Sequence, residues 1–97
     1  MHVTFDPVKN DRNIAERALS FERVADLDWE TAQIREDTRR DYRERRFSVA
    51  AFLLDRLHVA IITRREDATH VISFRKANDR EIRGYQRAAG GSGLTPG

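Results

Sequence analysis

The chain has 97 residues, of which 39% are hydrophobic and 35% are charged, and it contains no cysteine. This length supports one domain with a thin core, and the missing thiols exclude disulfides and thiolate metal sites. No apolar run reaches the length of a bilayer span, and the N-terminus lacks the apolar core of a signal peptide. We therefore expect a cytoplasmic protein.

Charge is distributed unevenly along the chain. Residues 1–42 carry seven basic and ten acidic groups, whereas residues 43–97 carry eleven and six, within a net charge of +2. Only Lys9 and Lys76 among the 18 basic residues are lysines. Arginine binds phosphate or carboxylate through two parallel hydrogen bonds and keeps its proton near neutrality. The second half is the expected position for a polyanion, although scattered surface ion pairs would also account for many of these charges.

The N-terminal part of the chain predicts a strand and two helices. The segment VTF at 3–5 is a short strand candidate, and Asp6 followed by Pro7 is a helix start with a capping carboxylate. This helix should end near Ala18, and its apolar residues Val8, Ile14 and Ala15 share one side. Ser20 is expected to cap a second short helix with the apolar residues Phe21, Val24, Ala25 and Leu27.

Residues 28–46 have helical propensity but no apolar stripe, because Trp29, Ile34 and Tyr42 do not fall on one side of a helix. A polar helix with nothing to bury is unfavourable. We therefore predict a strand near 31–36, followed by an exposed charged loop.

The remaining elements predict an antiparallel meander and a last helix. The three strands are RFSVAAFLL (46–54), LHVAIITR (57–64) and THVISFR (69–75), joined by short turns. Asn78 then caps a helix with Glu81 three residues further on, as in a capping box. Residues 88–97 indicate a flexible tail, which leaves a single domain over 1–87. The predicted fold class is α+β, with N-terminal helices packed on an antiparallel sheet and a C-terminal helix after it.

Positive charge is concentrated where the third meander strand meets the last helix. Alternation places Ser73 and Arg75 on one face of that strand with Val71, and Ile72 and Phe74 on the other. We predict that the first face is half open. The neighbouring strands should add Arg64, His58 and Ser48 to it. Arg80, Arg83 and Arg87 form one side of the last helix, opposite Tyr85, for which a packed role is the simpler interpretation.

Four segments together show a family resemblance. They are FDPVKNDRNIAERALSFERVA (5–25), YRERRFSVAAFL (42–53), LHVAIITRRED (57–67) and HVISFRKANDREIRGY (70–85). In order and spacing they resemble the BrnT toxins of bacterial BrnT/BrnA toxin–antitoxin pairs. The resemblance implies a RelE-like α+β fold, a metal-independent ribonuclease that needs no cofactor and stops growth, and neutralisation by a BrnA antitoxin.

The chain departs from the family at one place, where the common Lys-His-Gly is Glu16, Arg17 and Ala18. Alanine ends a helix in the left-handed conformation less well than glycine. An arginine at 17 can hold a phosphate, but it cannot act as a general base.

Cleavage of RNA without a metal needs a base for the 2′-hydroxyl, donors for the charged phosphorane and an acid for the 5′-oxygen. Fixed arginines suit the second role. We expect Arg75 to clamp the phosphate, with Arg46 and Arg64 in support. Lys9 or Lys76 is the candidate for proton transfer, because neighbouring cations lower the pKa of a lysine. The expected RNA-binding residues are Ser73, Arg80, Arg83 and Tyr85.

Two other classes of function stay open at this point. One is a basic module that binds RNA or an antitoxin without cleaving RNA. The other is an assembly role in which the arginine face meets only an acidic protein. A metal centre is not expected, because the histidines, His2, His58 and His70, are too scattered in the sequence for a ligand pattern.

Overall fold

The computed structural model describes residues 1–41 and 43–93. Its elements are β1 (Val3–Phe5), α1 (Pro7–Arg17), two 3₁₀ segments (Phe21–Asp26 and Trp29–Thr31), β2 (Gln33–Glu36), β3 (Arg46–Leu53), β4 (Arg56–Arg65), β5 (Ala68–Lys76) and α2 (Asp79–Gly93). The strands form one sheet in the order β1-β5-β4-β3-β2. The α+β class with a C-terminal helix is therefore confirmed. The sheet is mixed rather than purely antiparallel, because β1 pairs with β5 in parallel.

The predicted meander is confirmed by the pairing of β3 with β4 and of β4 with β5, both antiparallel. The ambiguous segment after residue 28 also behaves as predicted, since β2 pairs with β3. The two turns of the meander have two residues each, and the first residue of each turn, Leu54 or Glu66, has a positive φ of 58° or 57°. In β2, pairing with β3 satisfies the backbone hydrogen-bonding groups of this polar segment, whereas a helix here would have no apolar side to bury.

The predicted helix starts are also confirmed. The Asp6 carboxylate accepts a hydrogen bond from the Val8 amide at 2.9 Å, and Pro7 opens α1. Ser20 accepts from the Glu22 amide at 3.2 Å, and the short helix that it caps is a 3₁₀ helix.

The last helix is longer than predicted. α2 reaches Gly93 rather than ending near residue 87. Ala88 and Ala89 favour the extension past residue 87, because alanine has the highest helix propensity, and the helix then continues through Gly90 and Gly91 although glycine is a poor helix former. The final part of the predicted tail, residues 94–97, lies outside the described residues.

α1 packs through its polar side. Asn10 is buried and accepts from the Phe21 amide at 2.7 Å. The Asn13 amide donates to the Phe74 carbonyl at 3.0 Å, beyond the point where β1 ends. Val8 and Ile14, by contrast, are 65% and 44% exposed. The helix therefore supplies hydrogen bonds to an open sheet edge instead of burying its apolar side.

The sheet has two different faces. On the inner face, Val49, Val71 and Phe74 pack with residues of the first 3₁₀ helix, including Phe21 and Val24. The open face carries Leu57 and Val59, and α2 covers part of it through Ile82 and Tyr85. Within the described residues, no helix is both long and apolar enough to cross a membrane.

A β-bulge changes the predicted alternation of β5. Ile61 lies opposite Ser73, but the next residue, Ile62, lies opposite Val71. The extra residue between them, Ile72, breaks the two-residue period. The predicted grouping of Val71 with Ser73 is therefore wrong, and Val71 joins the inner face.

Candidate functional site

The centre of the open face is a row of small and apolar side chains. Ile61 on β4 lies opposite Ser48 on β3 and Ser73 on β5, and all three are half-buried. Directly opposed residues of a sheet project from the same face. The row is therefore a shallow floor, accessible to a ligand, with a hydroxyl on each side of Ile61.

Three polar residues lie at corners around this row. We call the row and the three corner residues together the Ile61 platform. Its members are Ser48, Ile61 and Ser73, with Arg46, His70 and Arg75 at three corners. Arg75 lies opposite Val59 on one side of the row, whereas Arg46 and His70 both lie opposite Thr63 on the other.

Strand geometry gives the size of the platform. Strands are about 4.8 Å apart and rise about 3.3 Å per residue, so each corner Cα lies about 8 Å from the Cα of Ile61. An extended arginine side chain with a hydrogen bond covers that distance. The platform can therefore bring Arg46 and Arg75 to one small anion from opposite corners.

A groove of about 1170 Å³ runs between the platform and α2. Its lining includes Arg35 from β2 and Arg80 and Arg87 from α2. None of these three forms an ion pair with an acidic side chain in the described part of the chain. Arg39 also lines the groove, but it is bound to Asp37 at 2.9 Å. Five arginines and four acidic side chains line the groove in all, so its lining has a small excess of positive charge.

Arg75 is held by a carboxylate of α2. Its Nη1 and Nη2 atoms donate to the two oxygens of Glu81 at 2.7 and 2.9 Å. Glu81 is itself fixed, because it accepts from the Asn78 amide at 2.9 Å while its own amide donates to the Asn78 side chain at 2.8 Å. The Arg75 guanidinium holds the pKa of Glu81 at about 2, against the desolvation that accompanies burial.

This pairing leaves one edge of Arg75 for a ligand. Nη1 donates both to Glu81 and to the Lys76 carbonyl, at 2.7 and 3.3 Å, and Nη2 makes one bond to Glu81. The described residues provide no partner for Nε–H or for the second Nη2–H. These two groups form the lateral fork of a guanidinium, which matches two oxygens of a phosphate.

His70 stands at the corner next to the edge strand. Its Nδ1 atom lies 2.8 Å from the Thr4 hydroxyl, which the parallel pairing of β1 with β5 places beside it. Burial and the charge of Arg65 lower the pKa of His70, opposed by Glu44. The imidazole is therefore oriented and neutral near pH 7.

The structure brings together part of the predicted site. Arg75, Arg46 and Ser73 belong to the platform, and Arg80 lines the adjoining groove. Lys9, exposed on α1, contributes to the lowered pKa of His70 and so lies within electrostatic reach of that corner.

Other predicted residues lie elsewhere. Arg64 is opposite Thr69 and bonds to its hydroxyl at 2.8 Å, on the inner side of the sheet and about 17 Å along β4 from Val59. Lys76 is opposite His58, also on the inner side. Arg83 is exposed and does not line the groove.

Two predicted residues have packing contacts. His58 is buried, with its ring 5.4 Å from that of Phe74, so its predicted position on the open face is wrong. The error arises because β4 has apolar residues on both faces: Leu57 and Val59 pack under α2, whereas Ala60 lies opposite Phe74 on the inner face that His58 shares. The Tyr85 hydroxyl donates to the Thr31 carbonyl at 2.8 Å, and its ring packs edge-on against Phe52 at 5.5 Å.

Sequence reasoning missed His70 and Arg35. His70 stands on the open face only because the bulge at Ile72 shifts the register of β5. Arg35 reaches the floor through the pairing of β2 with β3, which places it opposite Ser48. In the residues that the structure describes, no three His, Cys, Asp or Glu side chains are grouped so as to share a metal ion.

The fold and site define a small α+β protein with several arginines on the open face of its sheet and in the adjoining groove. The chain matches the family model described as ribonuclease toxin, BrnT, of type II toxin-antitoxin system, over residues 5–81. It therefore belongs to this family, and the resemblance found in the sequence is confirmed. The matched range includes every residue of the Ile61 platform. No curated protein and no solved structure matches the chain. Membership of a type II system implies a protein antitoxin as partner.

Proposed function

We propose that this toxin is a metal-independent endoribonuclease that cleaves RNA in the bacterial cytoplasm, arrests growth and is neutralised by a BrnA-type antitoxin. In this proposal the toxin has a RelE-like fold, and its reaction needs no cofactor. The observation that supports it most is the placement of Arg46 and Arg75 at opposite corners of one accessible floor. Two arginines within side-chain reach of one point suit a phosphate that gains charge during a reaction.

The scissile phosphate is placed over Ile61, between the hydroxyls of Ser48 and Ser73. Arg75 binds it through the lateral fork, because Glu81 occupies the other edge of the guanidinium. Arg46 approaches from the diagonal corner. Arg35 and Arg80, at the rim of the groove, bind neighbouring phosphates of the same strand without taking part in the reaction.

The reaction is an attack of the ribose 2′-oxygen on the phosphorus, followed by breakage of the bond from phosphorus to the 5′-oxygen. Negative charge builds up on the non-bridging oxygens in the transition state. Preorganised donors aimed at developing charge are worth about 10²- to 10³-fold in rate each. The products are a 2′,3′-cyclic phosphate and a 5′-hydroxyl.

Proton transfer to the leaving 5′-oxygen is assigned to Lys9. Lys9 is retained as a proton donor, because it lies near the His70 corner. Other predicted residues have no role in the reaction proposed here. The side chains of Arg64 and Lys76 lie on the inner side of the sheet. Arg83 does not line the groove, and Tyr85 is engaged in packing.

The departure at Arg17 does not remove a group from the platform. Arg17 donates to the Asn13 side chain at 3.1 Å and lines a separate pocket with Lys76. A histidine at this position would likewise lie away from Ser48 and Ser73. The proposal therefore expects an active enzyme despite the substitution.

Cleavage of a labelled synthetic RNA by the purified toxin in EDTA tests this function. We expect fragments ending in 2′,3′-cyclic phosphate, and a loss of rate of about 10²-fold or more in Arg75→Ala. Circular dichroism of the variant should show the parental fold. If the folded parent binds RNA and leaves it intact, the chain is a binding module instead. If it does not bind RNA at all, the cationic face serves only a protein partner.

A further inference from the structure

We infer that His70 is the catalytic proton acceptor for the ribose 2′-hydroxyl at the Ile61 platform. The inference rests on the proposed ribonuclease function and adds the general base that the arginines cannot supply. A residue with this role must lie on the open face, next to the phosphate site, and must have an atom free to take a proton.

The position of His70 meets the first two requirements. It lies on the same face as Arg75 and Ser73, across Thr63 from Arg46, so that the phosphate site is enclosed by these groups. The imidazole is shorter than an arginine side chain. However, the 2′-hydroxyl projects from the ribose beside the phosphate, so the atom to be deprotonated can sit closer to the His70 corner than the phosphorus does.

The hydrogen bond to Thr4 meets the third requirement. Nδ1 of His70 lies 2.8 Å from the Thr4 hydroxyl. When Nδ1 carries the proton and donates it to Thr4 Oγ1, Nε2 keeps its lone pair. The described residues offer no hydrogen-bond partner to Nε2. The edge strand therefore orients the ring and leaves one nitrogen able to act as a base.

Burial lowers the pKa of His70, and the charged groups around the ring add smaller effects of both signs. Lys9 and Asp6 face it from α1 and the residue before it, Arg65 from β4, and Glu44 from the segment before β3. Glu44 and Arg65 largely neutralise each other, since they are paired at 2.8 Å. Burial and the remaining positive charge lower the pKa of His70 below its usual value.

Three other candidate bases near the site are engaged or buried. Glu81 is held as the anion by Arg75, and Glu44 is held by Arg65. His58 is buried on the inner face. A carboxylate bound to a guanidinium is a weak base, so His70 is the group on the open face best suited to accept a proton near neutral pH.

His70 Nε2 takes the 2′-hydroxyl proton as the 2′-oxygen forms its bond to phosphorus. The bond from phosphorus to the 5′-oxygen then breaks, and that oxygen takes a proton from the Lys9 ammonium group or from water. The imidazolium returns its proton to solvent after the products leave.

The test compares His70→Asn with the parent and with His2→Asn, whose histidine is exposed near the N-terminus. Cleavage of the same synthetic RNA is measured in EDTA from pH 5 to pH 8. We expect the parental rate to rise with pH through a pKa below 6.5 and then level off. His70→Asn should lose about 10²- to 10⁴-fold in rate and lack this rise, while its RNA affinity stays within about 2-fold. His2→Asn should resemble the parent.

A second variant separates chemistry from folding. His70→Gly should recover part of the lost rate when free imidazole is added, which a merely structural defect would not do. If His70→Asn retains the rate and the pH dependence while Arg75→Ala is inactive, the inference about His70 is overturned and the ribonuclease function stands. If the parent itself does not cleave RNA, both are overturned.

Discussion

Replacement of Glu81 by glutamine should show how strongly this carboxylate anchors Arg75. The variant removes the carboxylate that binds Nη1 and Nη2 of Arg75 at 2.7 and 2.9 Å. Glutamine can still accept from the Asn78 amide, so the capping box at the start of α2 is retained. The perturbation is therefore the loss of one charge and one bidentate pair.

The upper limit of the magnitude follows from the pKa of Glu81, which Arg75 and, to a smaller extent, the Asn78 amide lower from 4.5 to about 2. At full value this corresponds to about 3 kcal/mol. The side chains of Arg75 and Glu81 are 37% and 29% exposed, and solvent screens such a pair. We therefore expect Glu81→Gln to lower the free energy of unfolding by about 1–2 kcal/mol at pH 7.

The contribution of Glu81 to the free energy of unfolding should decrease as the pH falls. Because the pKa of Glu81 is lower in the folded protein than in the unfolded chain, its contribution is complete above pH 4.5 and is lost as the pH falls toward 2. Urea unfolding at pH 7 and pH 3 measures it. The gap between parent and variant should shrink at pH 3 to less than about half of its value at pH 7.

Asp79→Asn is the matched control. It removes a charge from the same helical turn, where the helix dipole alone favours an acid by about 0.3–1 kcal/mol, and no described residue forms an ion pair with Asp79. If both variants lose the same stability, or if the gap for Glu81→Gln does not change with pH, the anchoring of Arg75 by Glu81 is refuted.

Two further predictions concern α2 and α1. Arg80→Ala should weaken RNA binding and reduce the slope of log Kd against log salt by about 0.7–1, because one phosphate contact is lost. Arg83→Ala should leave the slope unchanged. Equal slopes in the two variants would contradict the placement of RNA in the groove. Ala18→Gly should raise the free energy of unfolding by about 0.5–1 kcal/mol, since Ala18 has a φ of 56°. Ala15→Gly, in the middle of α1, is the control and should lower the free energy of unfolding by about 1 kcal/mol. A loss of stability in both variants would show that glycine at position 18 relieves no strain of the left-handed conformation.

Local signals in the sequence were sufficient for much of the fold. Asp6 with Pro7, and Asn78 with Glu81, predicted helix starts that the structure has, because a capping side chain acts on amides two or three residues away. The meander was predictable for a similar reason. Its strands are β-branched and aromatic, and two-residue turns join neighbours along the chain.

Non-local contacts account for what could not be predicted. The inward side of α1 is polar because Asn10 and Asn13 form hydrogen bonds with the Phe21 amide and the Phe74 carbonyl. The hydrophobic pattern of the sequence does not predict such bonds. In the site, Arg75 was predictable from its place at the end of a strand. His70 was not, since one bulged residue decides which face it occupies.

The most direct test of the account compares two arginines that the sequence alone treats alike. Arg46 stands on the open face at a corner of the platform, whereas Arg64 is bonded to Thr69 on the inner side. The initial rate of RNA cleavage in EDTA should fall by about 10²-fold in Arg46→Ala and stay within about 2-fold of the parent in Arg64→Ala, with both variants folded. Equal losses in both, or a loss confined to Arg64→Ala, would contradict a cleavage site centred on Ile61.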